Sequence, residues 1–200
     1  MYNIDETTGV QSSYLAPGIH QDVKIVDIVK ENSKKDGTGK EVLRFYFEGK
    51  DGGTFNHTEF SIDPEQTKKM AEQWGNDPKE AVTNAVNDLG ARIKHILSAF
   101  MPAENVVIHV ATWEEYCDKV VEICGTLYKD QLFRLKLVLN NKDYTILPKK
   151  TFSPFIQNME AKDTLAIVPK YDRIVAKAPT EEALYDAVDD TSDDTFEDEF

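Results

Sequence analysis

Apolar residues fall at alternate positions through Glu41-Val42-Leu43-Arg44-Phe45-Tyr46-Phe47. This period of two predicts a β-strand with Leu43, Phe45 and Phe47 on one face and Arg44 and Tyr46 on the other. The β-branched run over residues 23–29 predicts a strand before it, and residues 54–60 predict one after it, with Phe55 and His57 on one side. Gly49-Lys50-Asp51-Gly52-Gly53 is a hairpin signal, so residues 20–62 predict an antiparallel meander. The period then lengthens. Asp63-Pro64 and Asp77-Pro78 each place a capping carboxylate before a proline at the first helical position. After the second start, Ala81, Val82, Ala85, Val86, Leu89, Ile93, Ile96, Leu97 and Phe100 recur every three or four residues, an amphipathic helix halted by Pro102.

Residues 106–110 (Val-Val-Ile-His-Val) predict a short strand, and Thr112-Trp113-Glu114-Glu115 a capping box that opens a third helix reaching about Cys124, stopped by Gly125. Strand patterning returns over residues 131–139, followed by the turn Asn140-Asn141-Lys142-Asp143 and a returning strand at residues 144–147. Residues 151–155 predict a loop, and residues 164–175 fit neither period. The pattern as a whole predicts a mainly β fold with an α insertion. Its expected form is a five-stranded Greek-key barrel like the oligonucleotide-binding (OB) fold, plus a disordered acidic tail. The expected divisions are an N-terminal arm at 1–19, an OB-like domain at 20–178 with its helical insertion at about 63–125, and the tail at 179–200.

Charge sharpens this picture. The chain carries 23 Lys+Arg against 36 Asp+Glu, a net charge of -13. Ten of those carboxylates, and no Lys or Arg, lie in residues 181–200; setting them aside leaves 23 basic against 26 acidic residues. The body is nearly neutral and the tail is a polyanion, which self-repulsion and scant apolar surface would keep solvated. No apolar run approaches the roughly 20 residues of a membrane span. The start MYNIDETTGV has neither a basic flank nor an apolar stretch, so a cytosolic protein that avoids membranes is expected. Cys117 and Cys124, two helical turns apart on one face, predict buried reduced thiols, and Trp74 and Trp113 are expected in the core.

The glycine-rich phosphate loops, the H-E-x-x-H zinc motif and the G-x-S-x-G nucleophile elbow are all missing from the sequence. No catalytic residue, metal or cofactor is expected. Cations beside rings stand out instead, the mix that grips an unpaired strand by phosphate charge and base stacking. The candidates are Arg44, Tyr46 and His57 in the meander, and Arg134 and Lys136 on the face opposite Phe133, Leu135 and Leu137. To these the loop adds Lys149, Lys150 and Phe152, and the first connection adds Lys30, Lys34, Lys35 and Lys40 as a phosphate clamp. The alternative account makes the cations ordinary solvated residues and the rings core, and packs the loop against the barrel. Tyr14 is expected to anchor the arm.

Tyr14-Leu15-Ala16-Pro17-Gly18, the glycine-punctuated hairpin with Leu43-Arg44-Phe45-Tyr46-Phe47, the helical insertion and the acidic tail closed by Phe200 together resemble bacteriophage single-stranded DNA-binding proteins. The likeness covers the chain in outline, and the tail is its most specific part. Phe196-Glu197-Asp198-Glu199-Phe200 lacks the proline that precedes the terminal Phe in the bacterial counterparts. The resemblance implies sequence-tolerant binding of single-stranded DNA in phage replication or recombination, in the cytoplasm of an infected bacterium, by a monomer or homodimer. It also implies that Asp193, Asp194, Glu197, Asp198, Glu199 and Phe200 recruit replication proteins such as polymerase and helicase or primase. Two other classes stay open: an acidic interaction or regulatory protein that mimics DNA, and a metal-dependent replication enzyme.

Overall fold

The computed structural model describes residues 14–33 and 39–176. The arm before residue 14, the candidates Lys34 and Lys35, and the acidic tail lie outside the described residues. Six strands form one antiparallel sheet: β1 (Gly18–Asn32), β2 (Glu41–Glu48), β3 (Thr54–Phe60), β4 (Phe133–Leu139), β5 (Thr145–Ile146) and β6 (Ile156–Asn158). Three helices, α1 (Pro64–Gln73), α2 (Pro78–Leu97) and α3 (Trp113–Cys124), fill the interval between β3 and β4. The path runs β3-β2-β1-β4-β5, with β6 also paired to β4. Among the described residues no ladder joins β3 to β5 or β6, so the sheet is open along this path.

β1 is the organising element because it serves two neighbours. Its first residues pair with β4 and its later residues with β2, and the register slips by one residue between His20 and Val23 and again between Ile25 and Asp27. Bulges of this kind bend and twist a strand. Asp22 occupies the first slip at φ 56, a left-handed conformation that Asp tolerates better than most residues. The hairpin between β2 and β3 closes where the glycines predict, with Gly49 N–H donating to Gly53 O at 2.8 Å and Gly52 at φ 77. A Cβ on Gly49 would sit 2.8 Å from Leu15 Cδ2, so the missing side chain is what lets buried Leu15 tuck against the turn. Leu15 therefore anchors the chain's entry, while the Tyr14 side chain stays 79% exposed.

The core lies between the inner face of the bent sheet and the helices. Phe45, Phe47, Phe133, Leu135 and Leu137 meet Ile93, Ile96 and Leu97 of α2 and Cys117 and Val120 of α3. Burial pushes both cysteine thiols up to about 12, leaving them neutral and unreactive as expected. The helix starts form as the local chemistry dictates. Asp63 accepts from the backbone of Glu65 and Gln66, Asp77 accepts from Lys79 and Glu80, and Thr112 and Glu115 complete a reciprocal capping box.

Two further expectations about the fold fail. Residues 106–110 form no strand; they run from a 3-10 turn (Ala103–Asn105) to the α3 cap without a ladder partner, and β propensity yields a strand only beside one. Trp74 is 70% exposed, since only Ala71 of α1 reaches the interior. The structure also adds β6, which lies just beyond the expected loop and pairs with β4 without any sequence period to announce it.

Candidate nucleic-acid interface

Arg44 and Tyr46 do project from the outer face of the meander, but their charge is already engaged. Arg44 Nη1 lies 2.9 Å from Glu31 Oε2, and its Nε donates to Thr58 Oγ1 at 3.1 Å. Tyr46 donates its hydroxyl proton to Glu31 Oε1 at 2.6 Å. The shallow depression beside them is also lined by Asp27, Glu31 and Glu48. Lys30 leans towards α3, with Asp118 at 2.5 Å and Glu114 at 3.9 Å, and Glu41 of β2 also lies at 3.9 Å; the hydrogen bond to Asp118 raises its pKa. Lys40 is exposed beside Phe60 and Met70. His57 faces inward, half-buried, with Nε2 at 2.9 Å from Glu59 Oε1. The meander therefore offers a phosphate chain little free positive charge.

The β4 candidates take different roles from those expected. Arg134 spreads its guanidinium over the carbonyls of Met159, Ala161 and Asp163 at 2.9–3.3 Å, holding the loop after β6. Lys136 is wholly buried, so its expected place on an open face is corrected. The alternation along β4 does put it opposite Leu135 and Leu137. That side is roofed by the chain around Ser153, Ala166 and Asp172, all of which receive its ammonium protons. A phosphate cannot reach it.

The loop candidates come together in a cleft of ≈ 470 Å³ between the β4–β5 turn, residues 148–153 and Tyr171. Lys142, Lys149 and Lys150 line it, with Phe152 and Tyr171. Phe152 is 74% and Tyr171 57% exposed, and their rings stand 5.4 Å apart at 45°. Lys170 Nζ lies 5.2 Å from the Tyr171 ring centroid. Lys150 pairs with Asp88, whereas neither Lys142 nor Lys149 has a carboxylate partner among the described residues. Phe155, the other ring of the loop, is fully buried.

Local chemistry explains how the cleft holds its shape. The Asn140 side-chain oxygen accepts from the backbone of Lys142 at 2.8 Å and of Tyr144 at 3.0 Å, which fixes the turn and carries Lys142 at its tip. Arg173 binds both Asp143 and the Asn140 carbonyl, tying the chain beyond Tyr171 to the same turn. Residues 149–155 are held in turn by α2, which presents Asp88, Arg92 and His95 to them at helical spacing. Asp88 pairs with Lys150, Arg92 donates to the Lys149 carbonyl at 3.3 Å, and His95 Nε2 accepts from the Phe155 backbone at 3.2 Å. Burial lowers the His95 pKa, which keeps the ring neutral and able to accept that proton. Arg92 is itself fixed by two bonds to Glu59, at 2.7 and 2.8 Å.

Lys142, Lys170 and Tyr171 are not among the sequence candidates, nor are the α2 residues that hold the loop. Asp88, Arg92 and His95 were visible as a polar stripe at intervals of four and three; Tyr171 sits where no period exists. Among the described residues no group of three or more His, Cys, Asp or Glu could hold a metal ion, and no helix is long and apolar enough to cross a membrane.

The chain matches no protein-family model, no curated protein and no solved structure.

Proposed function

We propose that the chain binds single-stranded nucleic acid, with little regard to sequence, in the cleft formed by Lys142, Lys149, Lys150, Phe152 and Tyr171. The observation that carries this is the pair of exposed rings set among lysines. Two apolar rings held in water and touching each other offer a face to an unpaired base, worth ~1–3 kcal/mol per stacked base, and the lysines suit the phosphates between bases. Base stacking makes no use of hydrogen-bond edges, so the preference among sequences is weak.

The finer architecture belongs to the same proposal. A meander, a bent first strand shared by two neighbours, helices between β3 and β4, and a β4–β5 hairpin follow the order of a partly open OB barrel. In that fold the β1–β2 and β4–β5 loops grip the strand. Here the first connection carries Lys34, Lys35 and Lys40, and the second carries Lys142 and Tyr144. The resemblance to phage single-stranded DNA-binding proteins supports a place in DNA replication or recombination. The polyanion at residues 181–200 would then compete with DNA for the lysines and, once displaced, recruit replication proteins through Asp193, Asp194, Glu197, Asp198, Glu199 and Phe200.

A second reading, an acidic interaction protein, is favoured by the carboxylates Asp27, Glu31 and Glu48 on the meander. Incubation with labelled single-stranded, double-stranded and RNA oligomers, at two salt concentrations and with Mg²⁺, separates the classes. Retarded, intact single strands support the proposal, unshifted oligomers support the acidic interaction protein, and cleavage supports an enzyme. Removing residues 181–200 is expected to tighten binding several-fold at low salt, read by fluorescence anisotropy with oligo-dT. Equal or weaker affinity in the shortened chain would end the competition model.

A further inference from the structure

Lys136 stands out because nothing about stability calls for a lysine there. Its side chain has no exposed surface, and its ammonium donates to Asp172 Oδ2 at 2.6 Å, Ser153 Oγ at 2.8 Å and the Ala166 carbonyl at 3.1 Å. Three protons meet three acceptors, so the charge is fully satisfied. A buried ion pair is nonetheless weak as a stabiliser, since well-packed apolar residues of similar volume do as well or better. What such a pair supplies is direction: it fixes where its partners' backbones lie.

Those partners are informative. Ser153 follows Phe152 and Asp172 follows Tyr171, so each ring of the cleft is one residue from a group bound to the same ammonium. Asp172 is fastened a second time, since its Oδ2 also accepts from Val168 N–H at 2.8 Å, and the Tyr171 and Asp172 amides both donate to the Val168 carbonyl at 2.8 Å. Phe152 and Tyr171 come from segments far apart in sequence, and β4 runs beneath both. We propose that Lys136 is a positioning residue: from inside the protein it draws the two ring-bearing segments together and so builds the base-stacking platform, without touching nucleic acid. This rests on the cleft being the binding site, and it deepens that reading by assigning the platform's assembly to one buried cation.

The test compares K136M with the double variant K136M/D172N. The single change leaves Asp172 buried without its counter-charge and can unfold the chain; the double change removes both charges and keeps an acceptor for Val168 N–H. In the double variant, affinity for oligo-dT is expected to fall roughly tenfold, the loss of about one stacked base, with the slope of log K against log salt unchanged. Trypsin is expected to cut faster after Lys150 and Lys170, while the thermal midpoint stays close to that of the native protein. A fall in slope of about 0.7 would mean that Lys136 meets a phosphate, and would overturn the proposal. Unaltered affinity with unaltered cleavage would overturn it too, leaving the pair a purely structural one. Should the native protein fail to bind oligo-dT at all, the binding reading fails on its own. The tryptic rates then decide: faster cutting at the two lysines upholds the positioning role, and equal rates refute it.

Discussion

Alanine at both Phe152 and Tyr171 is expected to weaken oligo-dT binding by roughly 5- to 150-fold for each base the rings stack, at ~1–3 kcal/mol per base. The rings are 74% and 57% exposed and touch chiefly each other, so their loss should cost the fold little, within about 0.5 kcal/mol. Because neither residue carries charge, the salt slope should not move. Leucine at both positions keeps apolar bulk but offers no π-face, and is expected to recover only part of the affinity. Titration of the two double variants against the native protein checks this. Native affinity in the alanine form would show that the rings are not a stacking platform.

Arg92→Ala is expected to be the most destabilising single change among the α2 residues that hold this loop, by about 3 kcal/mol, because it removes the guanidinium and leaves the buried Glu59 carboxylate with His57 as its one remaining partner among the described residues. Burial works against the charge on Glu59, but the hydrogen bonds from Arg92 and His57, and their charges, outweigh it and hold the pKa below the usual glutamate value. The sign of the pH dependence follows. This contribution is fully present above the unfolded glutamate pKa of about 4.3 and is lost as pH falls through the lower folded value. Urea midpoints between neutral and strongly acid pH should show the loss in the native protein, and Glu59→Gln should flatten it in that window. A native midpoint independent of pH there would contradict the assignment. The double change R92A/E59A should cost less than R92A and E59A summed, as expected for residues in direct contact. Since Arg92 also holds the Lys149 carbonyl, R92A should loosen the cleft as well as the core.

What the sequence could reveal was what adjacent residues decide among themselves. The capped helix starts at Asp63, Asp77 and Thr112 and the hairpin at Gly49–Gly53 depend on neighbours within a few positions, and each forms as expected. Alternation in β2 likewise puts Phe45 and Phe47 on one face, and that face is the buried one. Tertiary cover was not legible. The period of two placed Lys136 on the right face of β4 but could not announce that Ser153 and Asp172 would close over it. Arg44 was correctly turned outward, yet its pairing with Glu31 depends on the β1–β2 register, which the bulge at Ile25–Asp27 shifts. Residues 106–110 have a strand's composition and no neighbour to pair with. Of the candidate site, Lys149, Lys150 and Phe152 were found from composition; Tyr171 came into view only when a segment without periodicity was seen to fold back across β4.

The most direct test is an anisotropy titration of the full chain with labelled oligo-dT from about 50 to 200 mM salt, run beside a K142A/K149A variant. The account predicts saturable binding whose logarithm falls linearly with log salt, and a slope shallower in the variant by about 0.7 for each lysine that meets a phosphate. Absence of binding by the native protein, or an identical slope in the variant, would contradict it.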